Sequence, residues 1–204
     1  MPHSRLSCLS EMQSKRLPRE DSRHIVRRGW RKSFKLPPFV MNVLNLENIN
    51  RNAAYQVEQV GESPYLFYFM TDYGVEYEIV IKSNDVFIPS GAYALDIINI
   101  WQQPSPGDPK FKQTLMAIIE EFFMQNNDVM LYVTETKDRK QASRNRLFVR
   151  WFNTYEYRER FFIKTAEGTM EGQMNFMAII SRKDNPRLQE AIEEFDETTF
   201  FLFD

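Results

Sequence analysis

Between Tyr65 and Asn126 the spacing of apolar residues changes from two to about 3.6, and a chain with that change is neither all-α nor all-β. Val75, Tyr77, Ile79 and Ile81 alternate with Glu76, Glu78 and Lys82, which describes a strand with one face for a core and one for water. Tyr65–Thr71 precedes it across Asp72-Tyr73-Gly74, so the two read as a hairpin. Tyr93–Gln102 reads as a third strand, and Pro104–Gly107 interrupts the chain. Asp108-Pro109 then opens a helix. The Asp carboxylate caps free backbone N–H groups, and proline at the first helical position loses no hydrogen bond. The helix is expected to reach about Asn126, with Phe111, Leu115, Ile118, Ile119, Phe122 and Phe123 on one wide apolar face.

Val129–Glu135 is apolar on both faces at its start, the pattern of a central strand. A second helix is expected from roughly Arg139 to Tyr155. Arg158–Ala166 and Gln173–Arg182 form a strand pair across Gly168 and Gly172. Asn185-Pro186 repeats the cap-and-proline signal and opens a third helix with Leu188, Ala191, Ile192 and Phe195 on one side. Phe200-Phe201-Leu202-Phe203 reads as a last strand or a docked tail. The order βββαβαββα predicts an α+β fold: a single, mostly antiparallel sheet with about three helices packed on it.

Charge divides the chain. Residues 1–40 hold ten Lys or Arg and three Asp or Glu, a balance of +7; taking that from the −2 of the whole chain leaves −9 on residues 41–204. The first forty residues have no hydrophobic period and are expected to be a basic disordered tail, or sequence ahead of a true start at Met41. Residues 41–204 are expected to be one domain, and the 14% aromatic content supplies its packed interior. No run approaches the ~18 consecutive apolar residues of a membrane span, so a soluble, cytoplasmic-type protein is expected.

Both histidines (His3, His24) and the one cysteine (Cys8) precede residue 41. The domain after them cannot assemble a Cys/His zinc site, a cysteine nucleophile or a Ser-His-Asp triad. Carboxylate pairs, lysine and tyrosine chemistry stay open. The seven glycines form neither a dinucleotide-binding loop nor a P-loop, and no cofactor is expected. Glu76/Glu78, Glu120/Glu121 and Glu193/Glu194 read as solvated faces rather than acid–base pairs. Met170, Met174 and Met177 read as core filler. Tyr65, Phe67, Tyr68 and Phe69 resemble base-stacking residues of RNA-binding sheets, but no Lys or Arg is interleaved, so core packing is the better reading.

The segment from Thr134 to Arg146 is dense in charge where a central strand passes into a helix, a common location for binding groups. On a helical projection Leu147, Phe148, Trp151, Phe152 and Tyr155 share a face with Arg144, while Arg139, Arg146 and Arg150 cluster elsewhere. A guanidinium on an apolar face needs a carboxylate, and Glu135 and Asp138 are the nearest in sequence. The candidate ligand-binding residues are therefore Glu135, Asp138, Arg139, Arg144, Arg146 and Arg150. A structural ion pair at Arg144 is the plainer explanation of the same pattern.

The run LYVTETKDRKQASRNRLFVRWFN, preceded by FKQTLMAIIEEFF and followed by AIISRKDNP, resembles an uncharacterised family of small bacterial proteins, mostly from Bacteroidetes, classed as a domain of unknown function. The resemblance covers about residues 65–195, and Arg-Asn-Arg-Leu-Phe…Arg-Trp-Phe is its most specific part. It implies a bacterial cytoplasmic protein and brings no activity or ligand with it. The function expected is a non-enzymatic binding or protein-interaction module, with a protein partner or a second copy as ligand. The alternative is an enzyme, or a phosphate- or nucleic-acid-handling protein, using the charged segment Glu135–Arg150. Nucleic acid is the less favoured partner because the domain is acidic, and no membrane association is expected.

Overall fold

Short-range hydrogen bonds decide where the elements begin. In the computed structural model, which describes residues 41–61, 63, 65–134, 141–170 and 172–203 (the side chains of Gln141 and Met170 excepted), helix α1 (Leu46–Asn52) starts at Asn45. The Asn45 side chain accepts from the backbone N–H groups of Glu47 and Asn48. Strands β1 (Glu58–Gln59), β2 (Leu66–Met70) and β3 (Glu76–Asn84) follow. The β2–β3 turn closes through Gly74, whose φ of 71° favours glycine. Its N–H donates to the Thr71 carbonyl at 2.9 Å. Strand β4 (Ala92–Asn99) leads to α2 (Pro109–Gln125), where Asp108 caps the Lys110 N–H and Pro109 occupies the first turn as expected. Strand β5 (Val129–Val133), helix α3 (Gln141–Asn153), a 3-10 turn (Arg158–Arg160), strands β6 (Phe161–Met170) and β7 (Gln173–Arg182) and helix α4 (Leu188–Leu202) complete the described chain.

One seven-stranded sheet in the order β1-β2-β3-β4-β5-β7-β6 holds these elements together. All neighbours are antiparallel except β4 and β5, which run parallel because α2 carries the chain back across the sheet. The fold is therefore the expected α+β arrangement, with β5 in the interior of the sheet. Among the described residues there are four helices rather than about three, because the short α1, like the two-residue β1, has no period visible in the sequence. The C-terminal Phe200-Phe201-Leu202 continues α4 and forms no strand. Helix α4 also starts two residues later than Pro186 suggested, after an Asn185 side chain that accepts from the Arg187 N–H.

Strand alternation sends two sets of side chains to opposite faces. Phe67, Phe69, Tyr77, Ile79, Ile81, Leu95, Met130, Tyr132 and Ile180 form a core with α1, α2 and α3 on the first face. Ala92, Val129, Leu131, Met177 and Ile179 meet Ala191 and Phe195 of α4 on the second. Phe122 of α2 is fully buried, its ring edge-on to Tyr93 at 5.6 Å. Among the described residues no helix is long and apolar enough to cross a membrane.

Candidate functional site

Helices α2 and α3 lie on the same sheet face, with an apolar cleft between them over β6 and β7. Leu115, Met116, Ile119, Glu120 and Phe123 of α2 line one wall of the cleft. Phe148, Trp151 and Phe152 of α3, with Tyr155 just past its end, line the other; Phe161 and Ile180 form the floor. The cleft is narrow and partly open, with room for the centres of water-sized molecules amounting to about 20 Å³. Its aromatic rings support one another. Phe148 stacks on Tyr132 with centroids 4.1 Å apart, Trp151 leans on Phe111 at 5.8 Å, and Phe161 lies 5.1 Å from Phe123 and 6.1 Å from Tyr155.

Glu120 is the one charged group in the lining, and its carboxylate accepts a hydrogen bond from the Tyr155 hydroxyl. Burial, followed by that bond and the neighbouring negative charge, holds the Tyr155 phenol well above its ordinary range. The phenol is thus a hydrogen-bond donor at neutral pH and no base. A second tie between the helices is the Lys112 ammonium, which donates to Thr154 Oγ1 at 3.0 Å.

Of the residues singled out from sequence, Glu135, Asp138 and Arg139 lie outside the described residues, and so does the expected Arg144 ion pair. Arg144 is half-buried on the inner side of α3. Its charge acts on Tyr132, whose phenol burial pushes up to about 12 while Arg144 opposes the shift. Arg146 and Arg150 are exposed on the outer side, where an Arg146 Nη2 donates to Ser143 Oγ at 3.2 Å. The structure thus brings Arg146 and Arg150 to one surface and sets Arg144 apart from them, with the phase read from sequence. Leu147 departs from its expected face: it is 40% exposed, while Phe148, Trp151 and Phe152 pack on the first-face core.

Two other expectations need correction. Glu121 is not solvated but 2% exposed, and its Oε1 accepts from the Asn45 N–H at 2.9 Å and from Gln125 Nε2 at 2.8 Å. Glu194 is half-buried and accepts from the Ser90 N–H. Met177 is core filler as expected, whereas Met174 is largely exposed. The sequence reading named most of the cleft's aromatic residues but treated them as core. The one signal pointing further was Glu120 beside the apolar stripe of α2, with Tyr155 at matching depth on the next helix.

No curated protein and no solved structure matches the chain. The expected resemblance to an uncharacterised family of unknown function is found over a shorter stretch than residues 65–195. Residues 107–197, which include every residue lining the cleft together with Arg144, Arg146 and Arg150, match the model described as Family of unknown function (DUF6169), so the likeness covers a little under half of the chain.

Proposed function

We propose that the domain is a non-enzymatic binding module of a soluble, cytoplasmic bacterial protein, and that the α2–α3 cleft receives an apolar side chain of a protein partner or of a second copy. The observation that carries this reading is the lining: ten of its eleven residues are aliphatic or aromatic, and the carboxylate of the eleventh is engaged by a phenol. Such a surface favours apolar contact area over polar substrate groups. The absence of His and Cys after residue 40 also removes the cysteine nucleophile and the commonest general base from this domain. The bacterial, cytoplasmic setting rests on the family resemblance of the Arg-Asn-Arg-Leu-Phe region.

Indole, a neutral mimic of an apolar side chain, provides the test. Titrated into the protein and followed by heteronuclear NMR, it should move amides of α2, α3 and the start of β6, and Phe152→Asp should abolish those shifts. Shifts scattered over the surface, or unchanged in the variant, would sink the reading. So would turnover of a substrate that depended on cleft residues.

A second reading has its own observation. Arg146, Arg150, Arg158 and Arg160 are all exposed around α3 and the 3-10 turn, and could hold a phosphate or a nucleic acid, with or without catalysis by Glu135, Asp138 and Arg139. Binding that did not weaken with added salt would contradict it.

A further inference from the structure

The second face of the sheet is covered unevenly. Helix α4 packs on the part formed by β5, β6 and β7 and on the start of β4 at Ala92, while β1 to β3 and the rest of β4 have no helix over them among the described residues. That open part is not an ordinary solvated surface. Met70, Ile98 and Trp101 on it are 54%, 41% and 65% exposed, and the pairing of the strands sets them around Tyr68.

Ladder alignment places Glu58, Tyr68, Glu78 and Ile98 in one line across four strands. With strands about 4.8 Å apart, Glu58 and Glu78 flank the Tyr68 ring on either side, and Glu76 lies about 7 Å further along β3 on the same face. The Glu76 carboxylate accepts from the Tyr68 hydroxyl and from Trp101 Nε1, each at 3.1 Å, which holds both rings in place. Lys82 is the cation on this part of the face, and Asp96 takes it. Among the described residues Glu58, Glu76 and Glu78 make no ion pair. Three like charges beside exposed aromatic and aliphatic side chains form a surface with an unmatched sign and unmatched apolar area.

We infer that this face docks a cationic, amphipathic segment of a partner protein, with Lys or Arg side chains meeting Glu58, Glu76 and Glu78 and apolar side chains meeting Met70, Ile98 and Trp101. The sign of the charge selects this occupant. Nucleic acid and anionic lipid are repelled, and a second copy seated on the same patch would set these carboxylates against one another. A simple polycation would leave the apolar residues in water. The surface lies on the opposite side of the sheet from the α2–α3 cleft, so the inference stands apart from the function proposed for that cleft.

The probe is a short synthetic peptide alternating lysine with leucine, titrated into the full chain and followed by heteronuclear NMR. Amides of β1 to β4 and of residues 100–101 should move, and the affinity should fall as salt is added. Reversing charge with Glu58→Lys and Glu78→Lys together should weaken binding at least about tenfold, with the thermal melt by circular dichroism unchanged. Trp101→Ala should weaken it as well. The same peptide with glutamate in place of lysine should leave those amides unmoved. The inference is overturned by no binding at millimolar peptide, by shifts elsewhere, or by indifference to the charge reversal. Spermidine binding as tightly as the peptide would also overturn it, by reducing the effect to counterion attraction. Concentration-dependent shifts of the same amides without peptide would make a second copy the occupant and overturn it equally.

Discussion

Raising the pH should expose how firmly α3 closes over the sheet, because the ring of Tyr132 is trapped between them. Tyr132 is 7% exposed and stacked on Phe148, and burial lifts its phenol from 10.0 to about 12. The folded state therefore keeps a proton that the unfolded chain gives up near pH 10. A raised folded pKa fixes the sign. The contribution is fully present below about pH 10 and is lost as the pH climbs from 10 through about 12. A shift of about two units corresponds to a loss on the order of 3 kcal/mol once the folded phenol has ionised. Guanidinium unfolding followed by circular dichroism, at a series of pH values from neutral to about 12, would measure it for wild type and Tyr132→Phe. The difference between the two proteins isolates this phenol from the lysines and other tyrosines. It should be constant up to about pH 9 and then change by roughly 2–3 kcal/mol against the wild type. A flat difference over the whole range, or a Tyr132 phenolate appearing near pH 10 in the folded protein, would refute the account of α3 packing.

Arg144→Met removes the cation that opposes the Tyr132 shift, so the fold should persist and the phenol should titrate higher still; an unchanged or lower value would show that Arg144 does not face Tyr132. Phe122→Ala empties a fully buried site against Tyr93 and Phe123 and should cost about 3–5 kcal/mol in denaturant unfolding, whereas a loss under about 1 kcal/mol would mean the α2 face is not core. Gly168→Ala would put a methyl carbon inside contact distance of the Phe203 Cβ and Cγ atoms and should destabilise by about 1–3 kcal/mol. Adding Phe203→Gly, which removes the clashing Cβ together with the ring, should recover most of that loss, and failure to do so would assign the cost to the β6 backbone instead.

What was legible in the residues alone is what depends on neighbours a few positions away. The β2–β3 turn needs a left-handed residue, and Gly74 supplies it. Helix α2 begins where an aspartate can cap it and a proline costs nothing. The alternation in β3 and the repeat in α2 report which side of each element meets the core, and the helical phase of α3 put Arg144 inside and Arg146 and Arg150 outside. Tertiary structure alone decided the rest, since the partners involved are far apart in the chain. Glu121 belongs to a polar patch of α2 until α1, some seventy-six residues earlier, brings the Asn45 N–H to it and makes burial of the carboxylate affordable. Helix α1 is only seven residues long, too short to announce itself by period and held by packing on α2. The cleft lies between α2 and α3 over β6 and β7, and apolar residues read the same whether they line a cleft or fill a core. Likewise the alternation that makes Tyr68, Glu76 and Glu78 face away from the first core is local. That no helix among the described residues crosses above them follows from where the chain sent α4, to the far half of the sheet.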